Sequence, residues 1–483
     1  MAKPNILLLM TDQQRWDGMG CSGDWVETPN MDRIAAEGIR FTNCVTNSPI
    51  CVPTRLSMAT GHYPHSTGVW NNFDHALNPD VSTWMQAVRD AGYRNSLFGK
   101  THLHPHSILS TESIQRESEA GAIETNDLRD RESWMNAYGL DDVDEIAGPR
   151  ASARTLTYMT EMWDQKGVWD AYRVDYEARF KNKSWVVRPS SHTLEDYADV
   201  YVGQQAKSYL EGYDRDEPWF CWVSFGGPHE PWDTPEPYAS KYNPETMPDP
   251  IARPKETNRP KGTLDERYAH QTIDFEPGEE KRLRADYAGN ITLIDDQIGE
   301  ILDAIETRDE LDNTVIVFVS DHGEMNGDFG LIYKSTFLNG AVRVPLLIRT
   351  PDTVGSSLAG KICESPVEWF DVGPTLVELA GGTIDFTQFA KSLCPVLQDP
   401  ETEHRSEAIS EYAGDIMLLN REWKCAINRD GQVYLLFDVK NDQDEVNNLA
   451  GDPEMEGVEQ ALRLRILERV AQAQVYEGVR FSH

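Results

Sequence analysis

Several β-like runs punctuate the chain, most of them apolar, and each ends in polar residues that could do chemistry. Residues 5–10 lead to Asp12 and Gln13, and residues 93–98 lead through Gly99 to Lys100 and His102. Residues 219–225 lead through Gly226-Gly227-Pro228 to His229, and residues 315–320 lead to Asp321 and His322. Apolar runs without polar alternation predict strands covered on both faces, and polar groups gathered past their carboxyl ends predict a parallel sheet. Between these runs the period turns helical, over 81–91, 194–213 and 279–308, the last with Leu293, Ile294, Ile298 and Ile301 at helical spacing. The alternation predicts an α/β fold: a mixed, mostly parallel sheet sandwiched by helices.

From about 106 to 270, apart from the strand and helix already named there, the pattern loosens into charged and aromatic segments rich in Trp and Pro, expected to be long insertions that shape a substrate cleft. After Asp371-Val372-Gly373-Pro374-Thr375 a helix runs to Gly381. Residues 423–428 and 433–437 predict antiparallel strands before a last helix over 458–473. The expected organisation is a main domain over 1–385 and a smaller α+β subdomain with a small antiparallel sheet over 386–483.

Composition narrows the function classes. Of 483 residues, 39% are hydrophobic, and 13 Trp, 18 Tyr and 15 Phe supply large cores, so intrinsic disorder is excluded. Acidic residues number 80 against 45 basic, a formal charge of −35 that repels nucleic acid and anionic lipid. The seven cysteines are odd in number, scattered and free of any C-x-x-C pair, so neither a disulfide framework nor a zinc knuckle is expected. No stretch reaches the roughly 20 apolar residues of a membrane helix. The first apolar run is too short for a signal-peptide core, so the chain as given is expected in the cytoplasm, or in the periplasm or outside the cell if a leader was removed.

The most informative segment is Cys51-Val52-Pro53-Thr54-Arg55, followed by Thr60-Gly61. Proline just inside and glycine just past a short helical stretch place Cys51 at a helix N-terminus, where an anion is favoured. Taken alone, Cys51 reads equally as a buried free thiol. Asp12 reads as a helix cap, Lys100 and Lys334 as solvated charges, and His229 as a loop histidine.

The spacing changes that weighting. Cys51-x-Pro53-x-Arg55 with Thr60-Gly61 resembles the modification signature of the type I sulfatases, formylglycine-dependent members of the alkaline phosphatase superfamily. Pro4 to Asp12 resembles the family's first strand, Gly99-Lys100-Thr101-His102 its Gly-Lys-x-His motif, and Pro228-His229-Glu230-Pro231 its central histidine loop. Asp321-His322-Gly323-Glu324, Gly327-Asp328-Phe329-Gly330 and Lys334-Ser335 resemble its second metal loop and lysine. Residues 434–449 resemble its closing strand and Asn-Asn-Leu stretch.

The resemblance implies that a formylglycine-generating or sulfatase-maturing enzyme oxidises Cys51 to formylglycine. One hydroxyl of the hydrated aldehyde attacks sulfur, and the other expels sulfate when deprotonated. Arg55, Lys100 and Lys334 would balance charge, and His102 and His229 would move protons. The implied metal ligands are Asp12, Gln13, Asp321 and His322. Gln13 and His322 depart from the family's usual acid and Asn, so calcium comes first by resemblance while the imidazole admits Mn²⁺, Zn²⁺ or Fe²⁺. The same pairs occur in phosphonate monoester hydrolases, which act on phosphodiesters and are the alternative enzyme; a non-catalytic sulfosugar-binding protein is the alternative outside catalysis. The expected substrate is a small sulfated carbohydrate, with aryl or choline sulfate as alternatives. His104, Trp70, Asn71 and Asn72 are weaker candidates to touch it, as are His106 and the aromatic insertions at Trp134, Trp163, Trp169, Trp185 and Trp232. His62, His65 and His75 are expected to be structural.

Overall fold

Side chains along the first strand, β1 (Asn5–Thr11), point alternately into two separate cores. Leu7 and Leu9 enter one, and Ile6, Leu8 and Met10 enter the other. The computed structural model describes residues 3–72, 77–103, 114–116, 123–254 and 257–475. Within them β1 joins β2 (Ile39–Phe41), β3 (Arg94–Gly99), β4 (Asp142–Glu145), β5 (Trp219–Ser224), β6 (Thr314–Ser320), β7 (Leu346–Arg349) and β8 (Lys361–Cys363). The spatial order is β8-β2-β7-β6-β1-β5-β3-β4, and β7 alone runs antiparallel to its neighbours in this sheet.

The helices that bear on this sheet are α1 (Pro29–Glu37), α2 (Cys51–Thr60), α3 (Trp84–Asp90), α4 (Trp169–Asn182), α5 (Ala198–Glu211), α6 (Glu279–Thr307) and α7 (Val372–Leu379). On one face Leu7 and Leu9 share a core with Ile291, Ile294 and Ile298 of α6 and with Val202, Ala206 and Leu210 of α5. On the other, Ile6, Leu8 and Met10 share a core with Leu56 of α2, Val88 of α3 and Leu376 of α7. Each fully enclosed side chain of this size contributes about 1.5–3 kcal/mol, so a strand apolar at every position is stable only between two helical layers.

The register levels the strand ends. Thr11 lies opposite Ser320, Met10 and Gly99 opposite Ser224, and Gly99 opposite Glu145. The residues that follow these positions therefore emerge along one edge of the sheet. Gly99 is required there: its φ is +112°, and a Cβ would lie 1.9 Å from the Ser224 carbonyl oxygen.

A second sheet is a meander of β9 (Glu407–Tyr412), β10 (Asp415–Asn420), β11 (Trp423–Ile427) and β12 (Val433–Asp438), all antiparallel. Leu418, Cys425 and Leu436 pack on Leu462 and Ile466 of the last helix, α8 (Glu456–Gln472). The opposite face packs Leu419, Ala426 and Leu435 on Met325, Phe337 and Leu338 of the main domain.

Two expectations need correction. Segment 106–270 is not all insertion, because β4 completes the central sheet; its Asp-Val-Asp-Glu sequence suits a half-buried edge and lacks the apolar run of a central strand. The aromatic insertions are also mostly core. Trp163, Trp169 and Trp232 are buried, and the indole N–H groups of the first two donate to Asp196 O (2.8 Å) and Ser152 O (2.9 Å). All seven cysteines are free thiols, and no helix among the described residues is long and apolar enough to cross a membrane.

Glu407 ties α8 to this sheet, accepting from Arg465 (2.7 Å) and Arg469 (3.0 Å). Burial opposes its ionisation, yet bonds from Arg465, Ser406 and Arg469 hold the carboxyl down at about 2. A depressed carboxyl contributes stability above its unfolded value and loses it as pH falls towards the folded one. Glu407→Gln should therefore cost about 1–3 kcal/mol at neutral pH in urea unfolding, with the difference narrowing below about pH 4. A pH-independent difference would contradict this account.

Candidate active site

The loops leaving the levelled strand ends are bonded to one another. Asp12 N donates to Gly227 O (3.0 Å) and Asp321 N to Thr11 O (3.3 Å). Gln13 adopts a left-handed conformation (φ +72°) that lets its N–H donate to Asp321 Oδ1 at 3.1 Å. The His229 loop is anchored by the buried carboxylate of Asp199 on α5, whose Oδ1 accepts from both Gly226 N and Gly227 N at 2.9 Å.

Cys51 is the first residue of α2, which is buried along its whole length and stops at Gly61, where φ is +70°. Its Sγ lies 3.0 Å from His322 Nε2 and 4.0 Å from Asp12 Oδ1. Burial alone would raise the thiol, but Lys334, Lys100 and His322, with a bond from His102, outweigh it and pull Cys51 well below the usual thiol range. The same cations would stabilise an alkoxide at this position. Asn72 Oδ1 accepts from Val52 N at 2.9 Å, so the weak substrate candidate Asn72 satisfies one of the helix's orphan donors beside Cys51.

Arg55, one turn along α2, is fully enclosed and spans the centre. It donates to Asp321 Oδ2 (2.8 Å), Asp12 Oδ2 (3.3 Å), Lys100 O (2.7 Å) and Ser224 Oγ (3.2 Å). The Lys100 ammonium pairs with Asp12, and burial's penalty on the Asp12 carboxylate is outweighed by Lys100, His229 and Arg55, so its pKa is lowered. Lys334 donates to Gln13 Oε1. Burial penalises the Lys334 charge, but Cys51, Glu230, Asp12 and Asp321 hold it above the normal lysine value.

His229 points Nδ1 at Glu230, 2.9 Å from its carbonyl oxygen and 3.1 Å from Oε2. His102 is half-buried with φ +58°. Trp70 is half-buried and Asn71 exposed. His104, His106 and His75 lie outside the described residues. His62 and His65 are tied into the scaffold, the first to Thr60 O (2.9 Å) and the second to Glu411 Oε1 (2.6 Å).

Sequence reasoning missed two buried carboxylates beside Gln13. Gln13 Nε2 donates to Glu230 Oε2 (3.1 Å) and to Glu324, so the Gln13 amide is held on both sides. Burial opposes Glu230's charge but His229, Lys334 and Arg150 lower its pKa, whereas burial dominates at Glu324 and raises it. Both stand inside motifs already recognised, next to His229 and two residues beyond His322, and polarity within those motifs was the available signal.

The donor set suits one divalent cation. Ligand atoms of Asp12, Cys51, Asp321 and His322 all lie within 4.8 Å of one another. Ligands about 2.4 Å from a shared ion stand at most about 4.8 Å apart, and two carboxylates with an imidazole are donors for Ca²⁺ or a first-row ion. The Gln13 amide oxygen borders the same group but is engaged by Lys334.

Levelled parallel strand ends that present a buried helix-start thiol, a divalent-ion donor set and enclosed cations suit the hydrolysis of an anionic ester. The family model described as sulfatase matches residues 4–382, and one described as N-sulphoglucosamine sulphohydrolase, C-terminal, matches 327–472. The chain belongs to the sulfatase family, whose members are sulfuric ester hydrolases using formylglycine and a divalent metal. Among its relatives, an arylsulfatase of Clostridium perfringens is 28% identical, covering 94% of this chain and 91% of its own. An ulvan-active sulfatase of Formosa agariphila is 26% identical over 97% of this chain and 81% of its own. Among solved structures, a phosphonate monoester hydrolase from Silicibacter pomeroyi superposes with a TM-score of 0.76 at 23% identity, covering 98% and 96% of the two chains, which establishes the shared fold.

Arg55→Ala leaves two enclosed carboxylates short of a counter-charge, so in chelator the variant should lose about 3–5 kcal/mol in urea unfolding. Arg55→Lys should lose less. Added Ca²⁺ or Mn²⁺ should stabilise Arg55→Ala more than the parent, because the ion supplies part of the missing charge. Indifference to the cation would count against the donor assignment.

Proposed function

We propose that the protein hydrolyses a sulfate monoester on a small sulfated carbohydrate, with residue 51 as the nucleophile. The observation that carries this reading is the environment of Cys51: the start of a buried helix, 3.0 Å from His322, with Lys100 and Lys334 outweighing burial to favour negative charge there. Cys51 matured to formylglycine supplies the hydroxyl of an aldehyde hydrate. A divalent cation held by Asp12, Asp321 and His322, with Gln13 as a further ligand once its amide oxygen parts from Lys334, supplies Lewis acidity when bound, calcium first by family likeness.

The remaining work falls to this chain's own side chains. Arg55 holds the Asp12 and Asp321 side chains in place by hydrogen bonds, while Lys100 and Lys334 offset charge on the transferring group. His229 has Nδ1 engaged by Glu230, which leaves Nε2 to deliver a proton to the leaving alcohol; His102, bonded to residue 51, is the second acid candidate. The carbohydrate substrate is supported by the ulvan-active relative and by half-buried Trp70, two residues before the Asn72 that bonds to the first turn of α2. A net charge of −35 favours short substrates over long sulfated polymers. Gln13 and His322 favour a second reading, hydrolysis of phosphonate monoesters and phosphodiesters, in which the same nucleophile attacks phosphorus.

The test is coexpression with a formylglycine-generating enzyme, peptide mass spectrometry of residue 51, and sulfate release from a panel of sulfated mono- and oligosaccharides beside a phosphonate monoester. The expected results are an aldehyde at residue 51, faster sulfate release than phosphonate hydrolysis, and at least about a thousandfold loss in Cys51→Ala. Full activity of Cys51→Ala refutes the nucleophile, and a strong phosphonate preference moves the protein to the second reading. If His229 is the acid, His229→Ala should damage turnover of sugar sulfates roughly a hundredfold more than that of 4-nitrophenyl sulfate, whose leaving group needs little protonation. Equal losses for both His229→Ala and His102→Ala would remove the assignment.

A further inference from the structure

His322 brings a nitrogen to a centre otherwise made of oxygen and sulfur, and its ring is set as a metal ligand is set. Nδ1 stands 3.1 Å from Gly323 O, so the Nδ1–H donates to that carbonyl and the Nε2 lone pair faces inward. Nε2 lies 3.0 Å from Cys51 Sγ and 3.7 Å from both Asp12 Oδ1 and Asp321 Oδ1. The other oxygen of each carboxylate is engaged by a cation. Asp321 Oδ2 accepts from Arg55 at 2.8 Å, and Asp12 Oδ2 accepts from Arg55 at 3.3 Å and from Lys100. Each aspartate is thus anchored through Oδ2 and presents Oδ1 to the ring.

Cys51 Sγ completes the group, 4.0 Å from Asp12 Oδ1, and one ligand atom from each of the four residues lies within 4.8 Å of the others. A tetrahedral ion with Zn–N and Zn–O bonds near 2.0 Å and a Zn–S bond near 2.3 Å needs ligand–ligand edges of about 3.3–3.6 Å. The measured separations bracket that range, so the atoms need move only a few tenths of an ångström. All four residues are at most 1% exposed, and four protein ligands leave no open position, which is the arrangement of a structural zinc site. Ca²⁺ takes roughly six to eight oxygen ligands, whereas a thiolate paired with an imidazole selects a softer ion.

We propose that before maturation Cys51 is itself a metal ligand, joining Asp12, Asp321 and His322 in a closed Zn²⁺ site. Binding moves no electrons between the partners: the S–Zn bond forms as the thiol proton leaves to solvent. Conversion of Cys51 to formylglycine removes the sulfur, so the same centre exchanges a thiophilic ion for an oxygen-seeking one. Metal identity then reports whether residue 51 has been converted. The inference rests on the donor assignment made for the hydrolase's cation and is independent of the substrate.

The experiment uses the full chain expressed without a maturing enzyme, its Cys51 thiol confirmed by mass spectrometry, stripped with chelator and titrated with Co²⁺, Zn²⁺ and Ca²⁺. Co²⁺ should produce an intense near-ultraviolet thiolate charge-transfer band together with the visible bands of a four-coordinate ion, and stoichiometric Zn²⁺ should abolish both. Zn²⁺, measured against a chromophoric chelator, should bind at least about a thousandfold more tightly than Ca²⁺. Cys51→Ser keeps an oxygen at the position and retains the other six cysteines. It should lose the charge-transfer band and at least about a hundredfold in Zn²⁺ affinity, with an unchanged metal-free urea midpoint. A band that survives in Cys51→Ser, or equal Zn²⁺ affinity in the two chains, overturns the proposal. Mn²⁺ binding to the matured chain is measured beside these titrations. If it holds while the thiolate band is missing, only the role of the sulfur is withdrawn; if it fails too, the donor assignment falls with the proposal.

Discussion

Asp12 and Asp321 stand fully enclosed at the ends of adjacent central strands, and two buried negative charges in such proximity are sustained only by opposite charge in direct contact. Arg55 touches both carboxylates, and Lys100 pairs with Asp12. The rest of the centre follows from keeping that balance in place. Arg55 can span the carboxylates because α2 begins beside them, which also puts Cys51 against His322. Lys100 reaches Asp12 because Gly99 lets β3 approach β5 closely enough for Lys100 N to donate to Ser224 O at 2.9 Å.

The same balance accounts for a positive pocket in an acidic protein. Charge spread over the surface acts weakly beyond a Debye length of about 8 Å, while enclosed cations act at short range in a medium where each interaction is stronger. The formal charge of −35 and the depressed thiol of Cys51 are therefore compatible. Asp199 fixes the His229 loop through two backbone N–H groups, so a histidine on a loop is held by a helix of the scaffold.

β1, β3, β5 and β6 were legible in the sequence, three of them as the apolar runs that burial on both faces leaves, whereas the short buried β7 was not. The edges were not. β4 is an acidic tetrad, β2 and β8 have three residues each, and β9 and β10 mix Glu, Ser, Asp and Asn with apolar positions, so periodicity had little to register. The centre was legible through residue types at fixed spacing, while Glu230, Glu324 and Asp199 were missed because their importance lies in partners hundreds of residues or one loop away. Trp163 and Trp169 have the chemistry of sugar platforms, but they are buried, as a tryptophan in a large protein most often is.

The two enclosed carboxylates and His322, beside residue 51, form a donor group suited to one divalent cation. A crystal of the matured protein grown with Mn²⁺ and measured for anomalous scattering tests this most directly. The account requires a single strong anomalous peak within about 2.0–2.5 Å of Asp12, Asp321 and His322. An empty centre at millimolar Mn²⁺, or a peak held by other residues, would contradict it.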